Sequence, residues 1–223
     1  MNKIEAICKR IRNTCQNIEK ESIPFIRKRQ WPGDIDILPA IYLLPIKEPT
    51  EEQETLAAAL LMIWLSRECH EDVTEDEINN NPEAVLYGDL VYSAAYNIFE
   101  GSSEHSILKE IPDVMIKYSQ AWFYRRDIAD HNAVDKEILD NIIMDDLGMI
   151  LEMTARRGAE AGKLSPEDKA DYIYCAEKLS FLWSQKRYGY NLGDHYETEI
   201  KAAAKNPNIS EGVCEILAII KSK

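Results

Sequence analysis

Cys69-His70-Glu71-Asp72-Val73-Thr74-Glu75-Asp76-Glu77 gathers more reactive side chains than any other segment, and it follows a long apolar run. On a helix, at about 100° per residue, Glu71 and Glu75 lie about 40° apart, with Asp72 about 100° from Glu71. Three carboxylates in one arc suit a hard cation such as Mg²⁺, which takes oxygen ligands and often completes its shell with substrate phosphate. The same residues also read as the solvated, acidic end of a helix. Two features weigh on the other side: the preceding helix is exceptionally apolar, and negative charge at a helix C-terminus opposes the macrodipole. His70 reads as a hydrogen-bonded structural residue, and His105, His131 and His195 form no metal spacing with it. Asp89, inside an apolar Leu86–Phe99 stretch, is a second oddity, because an unpaired carboxylate there is costly. It either faces water or points into a polar cavity, and Gly88 beside it permits close approach of another helix. There is no GxSxG, HExxH, GxGxxG or phosphate-cradling glycine loop, so nucleophilic catalysis has no candidate.

The elements that position these residues read as helices throughout. Ile4, Ile7, Ile11 and Ile18 follow one helical stripe, and five prolines between Pro24 and Pro49 then mark an irregular entry segment. A short helix over 36–44 fits within it. Thr50 and Gln53 form a capping box for the apolar helix that ends at the acidic segment. Pro82 opens the next helix, which stops near Gly101. Further helices are expected over 104–129, 135–161, 166–188 (with Ser165 as N-cap), 194–205 and 210–221, the last two flanking Asn206-Pro207 as a breaker. The expectation is an all-α, single-domain bundle of about eight helices over residues 1–223.

Composition limits the partners. There are 26 Lys+Arg against 39 Asp+Glu, a net charge of −13, which argues against nucleic acid and anionic membrane surfaces. Hydrophobic residues make up 45%, enough for a buried core. The five cysteines are scattered and form no CxxC pair, as expected of a reduced, cytoplasmic chain. No apolar signal region opens the sequence, and the apolar stretch at 56–65 is far short of the ~20 residues a bilayer span needs.

The order of motifs resembles the trans-isoprenyl diphosphate synthase family. The apolar helix ending HEDVTED is similar to the family's HDDxxDD, and LYGDLVYSAAYNIF to its L-x-G-D helix. ARRGAEAG and AEKLSFLWSQ follow, similar to A-R-L-G-A-x-x-A-G and N-L-G-x-A-F-Q, so the ordered likeness runs from residue 33 to 185. The resemblance implies an all-α bundle around a deep cavity, with two aspartate-rich motifs binding Mg²⁺ and a prenyl diphosphate. Glu71, Asp72 and Glu75 take the first motif's metal positions. Asp89, Gln120 and Arg67 are the substrate-binding candidates.

The rest of the family pattern is altered. The second acidic motif falls on Arg187-Tyr188-Gly189-Tyr190-Asn191, so Arg187, Tyr188 and Asn191 stand where carboxylates are expected. The GGKRxRP segment lies over residues 33–39 without its basic residues, and a Lys-Thr pair becomes Asp146-Leu147. Cations hold diphosphate, so these losses bear on catalysis. Arg67, four residues before Glu71, is a poor wall for a hydrocarbon tunnel. This pattern resembles the small, non-catalytic component of heteromeric polyprenyl synthases, such as that of heptaprenyl diphosphate synthase. It implies an accessory subunit with a larger catalytic partner, or alternatively a homodimer. Candidate contacts are Trp122-Phe123-Tyr124 and Tyr92/Tyr96, although ordinary core packing is the favoured reading for any single one of them. Two rival readings remain. One is a divergent Mg²⁺-dependent synthase drawing replacement cations from Arg125, Arg126, Arg156, Arg157 and Arg187. The other is a helical interaction domain with no isoprenoid ligand.

Overall fold

The computed structural model describes residues 9, 11–13, 15–17, 36–71, 73, 81–128, 134–193 and 195–221. Among them every regular element is helical, and none is a strand. The chain forms two compact units, Met1–Leu43 with Glu48–Leu108, and Leu44–Lys47 with Lys109–Lys223.

The first unit is organised by one apolar helix. It contains α1 (Ile37–Leu43), α2 (Glu51–Glu71) and α3 (Asn81–Glu100). The expected capping box opens α2: the Thr50 N–H donates to Gln53 Oε1 at 3.0 Å and the Gln53 N–H to Thr50 Oγ1 at 3.2 Å. Glu52, also in the first turn, accepts the Ser103 N–H at 2.9 Å. Every residue of α2 from Leu56 to Arg67 is buried, because α2 packs against α1 and α3. Burying each large aliphatic side chain there stabilises the unit by about 1.5–3 kcal/mol. The facing stripe on α3 is Ala84, Tyr87, Val91, Ala95 and Phe99, at helical spacing. Of the N-terminal stripe, Ile11 is buried, and Ile4, Ile7 and Ile18 lie outside the described residues. Arg12 donates from two guanidinium nitrogens to the carboxylate of Asp36, and the Cys15 thiol donates to the Ala58 carbonyl at 3.4 Å.

The second unit carries α4 (Ile111–Asp127), α5 (Lys136–Ile143), α6 (Met149–Ala161), α7 (Pro166–Tyr188), α8 (His195–Ala203) and α9 (Pro207–Lys221). The expected continuous helix over 104–129 is instead a 3₁₀ turn at His105–Lys109 followed by α4. Pro112 is the cause: it lacks an N–H and its ring clashes with the carbonyl four residues back, so a helix can start there but not run through. The pattern over 135–161 is also divided, by a π turn at Met144–Gly148 that joins α5 to α6. Ser165 caps α7 as expected, accepting the Asp168 N–H at 3.1 Å. Pro207 opens α9 rather than ending the preceding helix, since its fixed φ and missing N–H suit a first helical position. Among the described residues no helix is long and apolar enough to cross a membrane.

Two outcomes follow from this packing. A Cβ at Gly162, which caps α6, would lie 2.6 Å from the Pro45 carbonyl oxygen. Gly162→Ala is therefore expected to destabilise by about 1–3 kcal/mol through overpacking. A lowered denaturant midpoint checks this, and an unchanged midpoint contradicts the close seat. Cys214 is exposed, whereas Cys175 is buried and its thiol is pushed up to about 12 by burial and by Asp171. Iodoacetamide should label Cys214 in the native protein and Cys175 only in denaturant, as read by peptide mass spectrometry.

Candidate functional site

Glu71 is the last residue of α2, and its carboxylate accepts Arg67 Nη2 at 3.3 Å, one helical turn back. Arg67 is only 2% exposed. Its guanidinium lies 3.9 Å from the centre of the Trp64 ring and reaches Glu68 at 3.4 Å. A buried guanidinium needs such partners, so the three groups hold one another. Asp72 and Glu75 lie outside the described residues, and among those described no group of three His, Cys, Asp or Glu side chains is placed to hold a metal. Mg²⁺ takes near-octahedral oxygen ligands, and Glu71 offers it a carboxylate already engaged by a cation. The described residues do not fit a Mg²⁺ site.

The two oddities on the neighbouring helices meet each other. Asp89 faces water, as one of the two sequence readings has it, and its Oδ1 lies 3.3 Å from His70 Nε2. Gly88 makes that approach feasible, because a Cβ there would sit 2.8 Å from His70 Nε2. His70, in the last turn of α2, is thus the partner of Asp89. Gln120, the remaining substrate-binding candidate, is exposed on α4 in the second unit.

The positions aligned with the second acidic motif do not share a helix face. Carboxylates at i, i+1 and i+4 converge only while the helix continues. Here α7 ends at Tyr188, and Gly189 takes φ +72° with its N–H on the Gln185 carbonyl. Tyr190 and Leu192 then fold into an apolar cluster with Leu139, Ile143, Phe181 and Tyr196, against which Tyr188 also packs. Asn191 is exposed. Arg187 Nε donates to the Tyr188 hydroxyl at 3.2 Å, and the Arg125 guanidinium lies 4.1 Å from the Tyr188 ring centre. Arg125 is also 3.7 Å from Asp146, whose side chain is almost wholly buried. The π turn places Asp146 inward, at the position where the family resemblance expects a lysine.

Sequence reading missed a bridging ion pair in this unit. Glu110 accepts Arg156 Nη2 on one carboxylate oxygen and Arg157 Nη2 on the other, tying the start of α4 to α6. Burial alone would raise the Glu110 carboxyl, but the two guanidinium groups outweigh it and hold it below the ordinary carboxylate value. An acid two residues before a helix-opening proline was the available signal, though nothing local names partners more than forty residues away. Arg126 stacks over Trp122 and Phe123. All five arginines read as replacement cations therefore already have a carboxylate, hydroxyl or ring against them. Phe123, Tyr124 and Tyr96 are exposed, and Trp122 and Tyr92 are half-buried.

The Glu110 pair sets a pH dependence. A depressed carboxyl contributes stability above its ordinary titration range and loses it as pH falls through the folded-state value. Glu110→Gln is expected to destabilise by about 1–2 kcal/mol, discounted for partial exposure, and to flatten the loss of stability as pH falls through and below the ordinary carboxylate range. Urea melts across that range check both effects.

No family model matches the chain, and no curated protein matches it in sequence. Solved structures do match it along almost its whole length. The geranyl diphosphate synthase small subunit of Antirrhinum majus aligns with a TM-score of 0.60 at 13% identity, over 100% of this chain and 98% of that one. A deletion mutant of the heterotetrameric geranyl pyrophosphate synthase of mint gives 0.63 at 14% identity, over 95% and 99%. The octaprenyl pyrophosphate synthase of Helicobacter pylori gives 0.59 at 15% identity, over 96% and 90%. What these proteins share with the chain is the fold, and the chain has the all-α fold of the isoprenyl diphosphate synthases.

Proposed function

We propose that this chain is an accessory subunit of a heteromeric trans-polyprenyl diphosphate synthase, weakly catalytic at most, supporting prenyl chain elongation by a larger catalytic partner in the cytoplasm. The observation that carries this reading is the end of α7. A left-handed glycine closes the helix, and Tyr188 and Tyr190 pack into or against an apolar cluster where a metal-binding acidic motif would need open carboxylates. Asp146 and Arg125 support it, because a buried ion pair occupies charge that a diphosphate site would have to leave available. Arg67 and Glu71 do the same at the end of α2.

The exposed aromatics Phe123 and Tyr124 on α4 supply the kind of anchor that helix-to-helix subunit contacts use. The likeness to the Antirrhinum small subunit and the mint heterotetramer accords with a chain that works beside another, as does the resemblance to the heptaprenyl small component.

The test is the purified chain incubated with Mg²⁺, farnesyl diphosphate and isopentenyl diphosphate, alone and with a related chain bearing both intact acidic motifs. The expected result is no elongation alone and faster or longer-chain elongation in the mixture. Elongation by the chain alone, abolished by Glu71→Gln and Asp72→Asn, would instead establish a Mg²⁺-dependent synthase acting through the first motif.

A further inference from the structure

Three large apolar side chains of α4 stand in water: Ile116, Phe123 and Tyr124 are 57%, 55% and 64% exposed. The Phe123 ring is held in place by its own helix. Trp122 packs edge-on to it at 5.0 Å, and the Arg126 guanidinium lies over both rings. An aromatic fixed in this way loses little freedom when it is covered, which suits an interface anchor. Charge then limits what can cover it. At about 100° per residue, Asp113, Gln120 and Asp127 fall on one flank of the Ile116–Phe123 stripe. Asp113 and Asp127 lie equally far in sequence on either side of Gln120. Both are exposed, and neither has an ion pair or a side-chain hydrogen bond among the described residues.

Two copies of α4 packed antiparallel about Gln120 would set Ile116 of each copy against Phe123 of the other. A two-fold of that kind brings like flanks together, so Asp113 of each copy would face Asp127 of the other. Two like-charge contacts beside the apolar seam oppose such a pair, and each whole chain also carries −13. We infer that α4 docks an antiparallel helix of a different subunit, whose apolar stripe is flanked by Lys or Arg opposite Asp113 and Asp127. Charge complementarity selects this partner over a second copy of the chain. The inference rests on the accessory-subunit reading for there being a partner, and it adds the face used and the chemistry that meets it.

Sedimentation of the full chain tests it without substrate, metal or synthase, so its failure is distinct from failure of the elongation assay. The native chain is expected to be monomeric. Asp113→Lys/Asp127→Lys is expected to be monomeric too, because it replaces each Asp–Asp contact by a Lys–Lys contact. An equimolar mixture of the two should form a one-to-one complex, tighter than either self-association by roughly tenfold or more, since every flank contact then joins Asp to Lys. Phe123→Ser in both chains should remove that complex. Asp127→Lys alone should self-associate, because each copy then offers a lysine to the other's Asp113. Its lysine suits the last turn of a helix, so this variant decides the matter if the double variant does not fold. A native dimer that Phe123→Ser splits overturns the inference, since a second copy would then cover the face. A mixture that associates no more tightly than its components, or an Asp127→Lys chain that stays monomeric, also overturns it.

Discussion

Arg67 is the residue around which the end of α2 is built. Taking a guanidinium out of water costs several kcal/mol unless a carboxylate and an aromatic face receive it. Arg67 is almost wholly buried in a helix that is otherwise apolar from Leu56 to Leu65, so it must be met. Trp64 lies under it, and Glu68 and Glu71 supply the charge. Glu71 accordingly turns back toward its own helical turn to meet it. A carboxylate bound in that way is a structural group before it is a ligand.

The second unit obeys the same constraint twice. Asp146 is carried inward by a π turn and is matched by Arg125, which in turn rests on Tyr188. Glu110 sits where a helix restarts at Pro112 and is matched by Arg156 and Arg157. In a synthase, free cations and carboxylates would be held apart by the fold so that metal and diphosphate could bring them together. In this chain they already meet one another. The chain as a whole keeps a net charge of −13.

Much of this was legible wherever the signal is local. The capping box at Thr50 and Gln53, the N-cap at Ser165 and the all-apolar character of α2 need only a few consecutive residues, and the structure has all three. Gly88 was read correctly as a place of close approach, though its partner His70 was not foreseen. Pro112 was overlooked, which merged two elements into one. The π turn was missed because the helices on either side each keep a period of 3.6, and the inserted residue shows only as a phase shift of about 100° between their stripes. The Glu110 pair was out of reach for a different reason, since it joins residues 46 and 47 positions apart. For the candidate site, Arg67 and Glu71 at i, i+4 were readable as neighbours, whereas Asp72 and Glu75 lie outside the described residues. Gly189 was present in the aligned segment, but its left-handed φ only becomes decisive once α7 is seen to end there.

We propose that Glu71, at the end of α2, serves charge pairing with Arg67 rather than metal binding. Calorimetric titration of MgCl₂ into the purified chain, repeated with Glu71→Gln, tests it most directly. The account predicts no saturable Mg²⁺ binding up to concentrations on the order of millimolar, and the same trace for the variant. Saturable binding by the native chain that Glu71→Gln removes would contradict it.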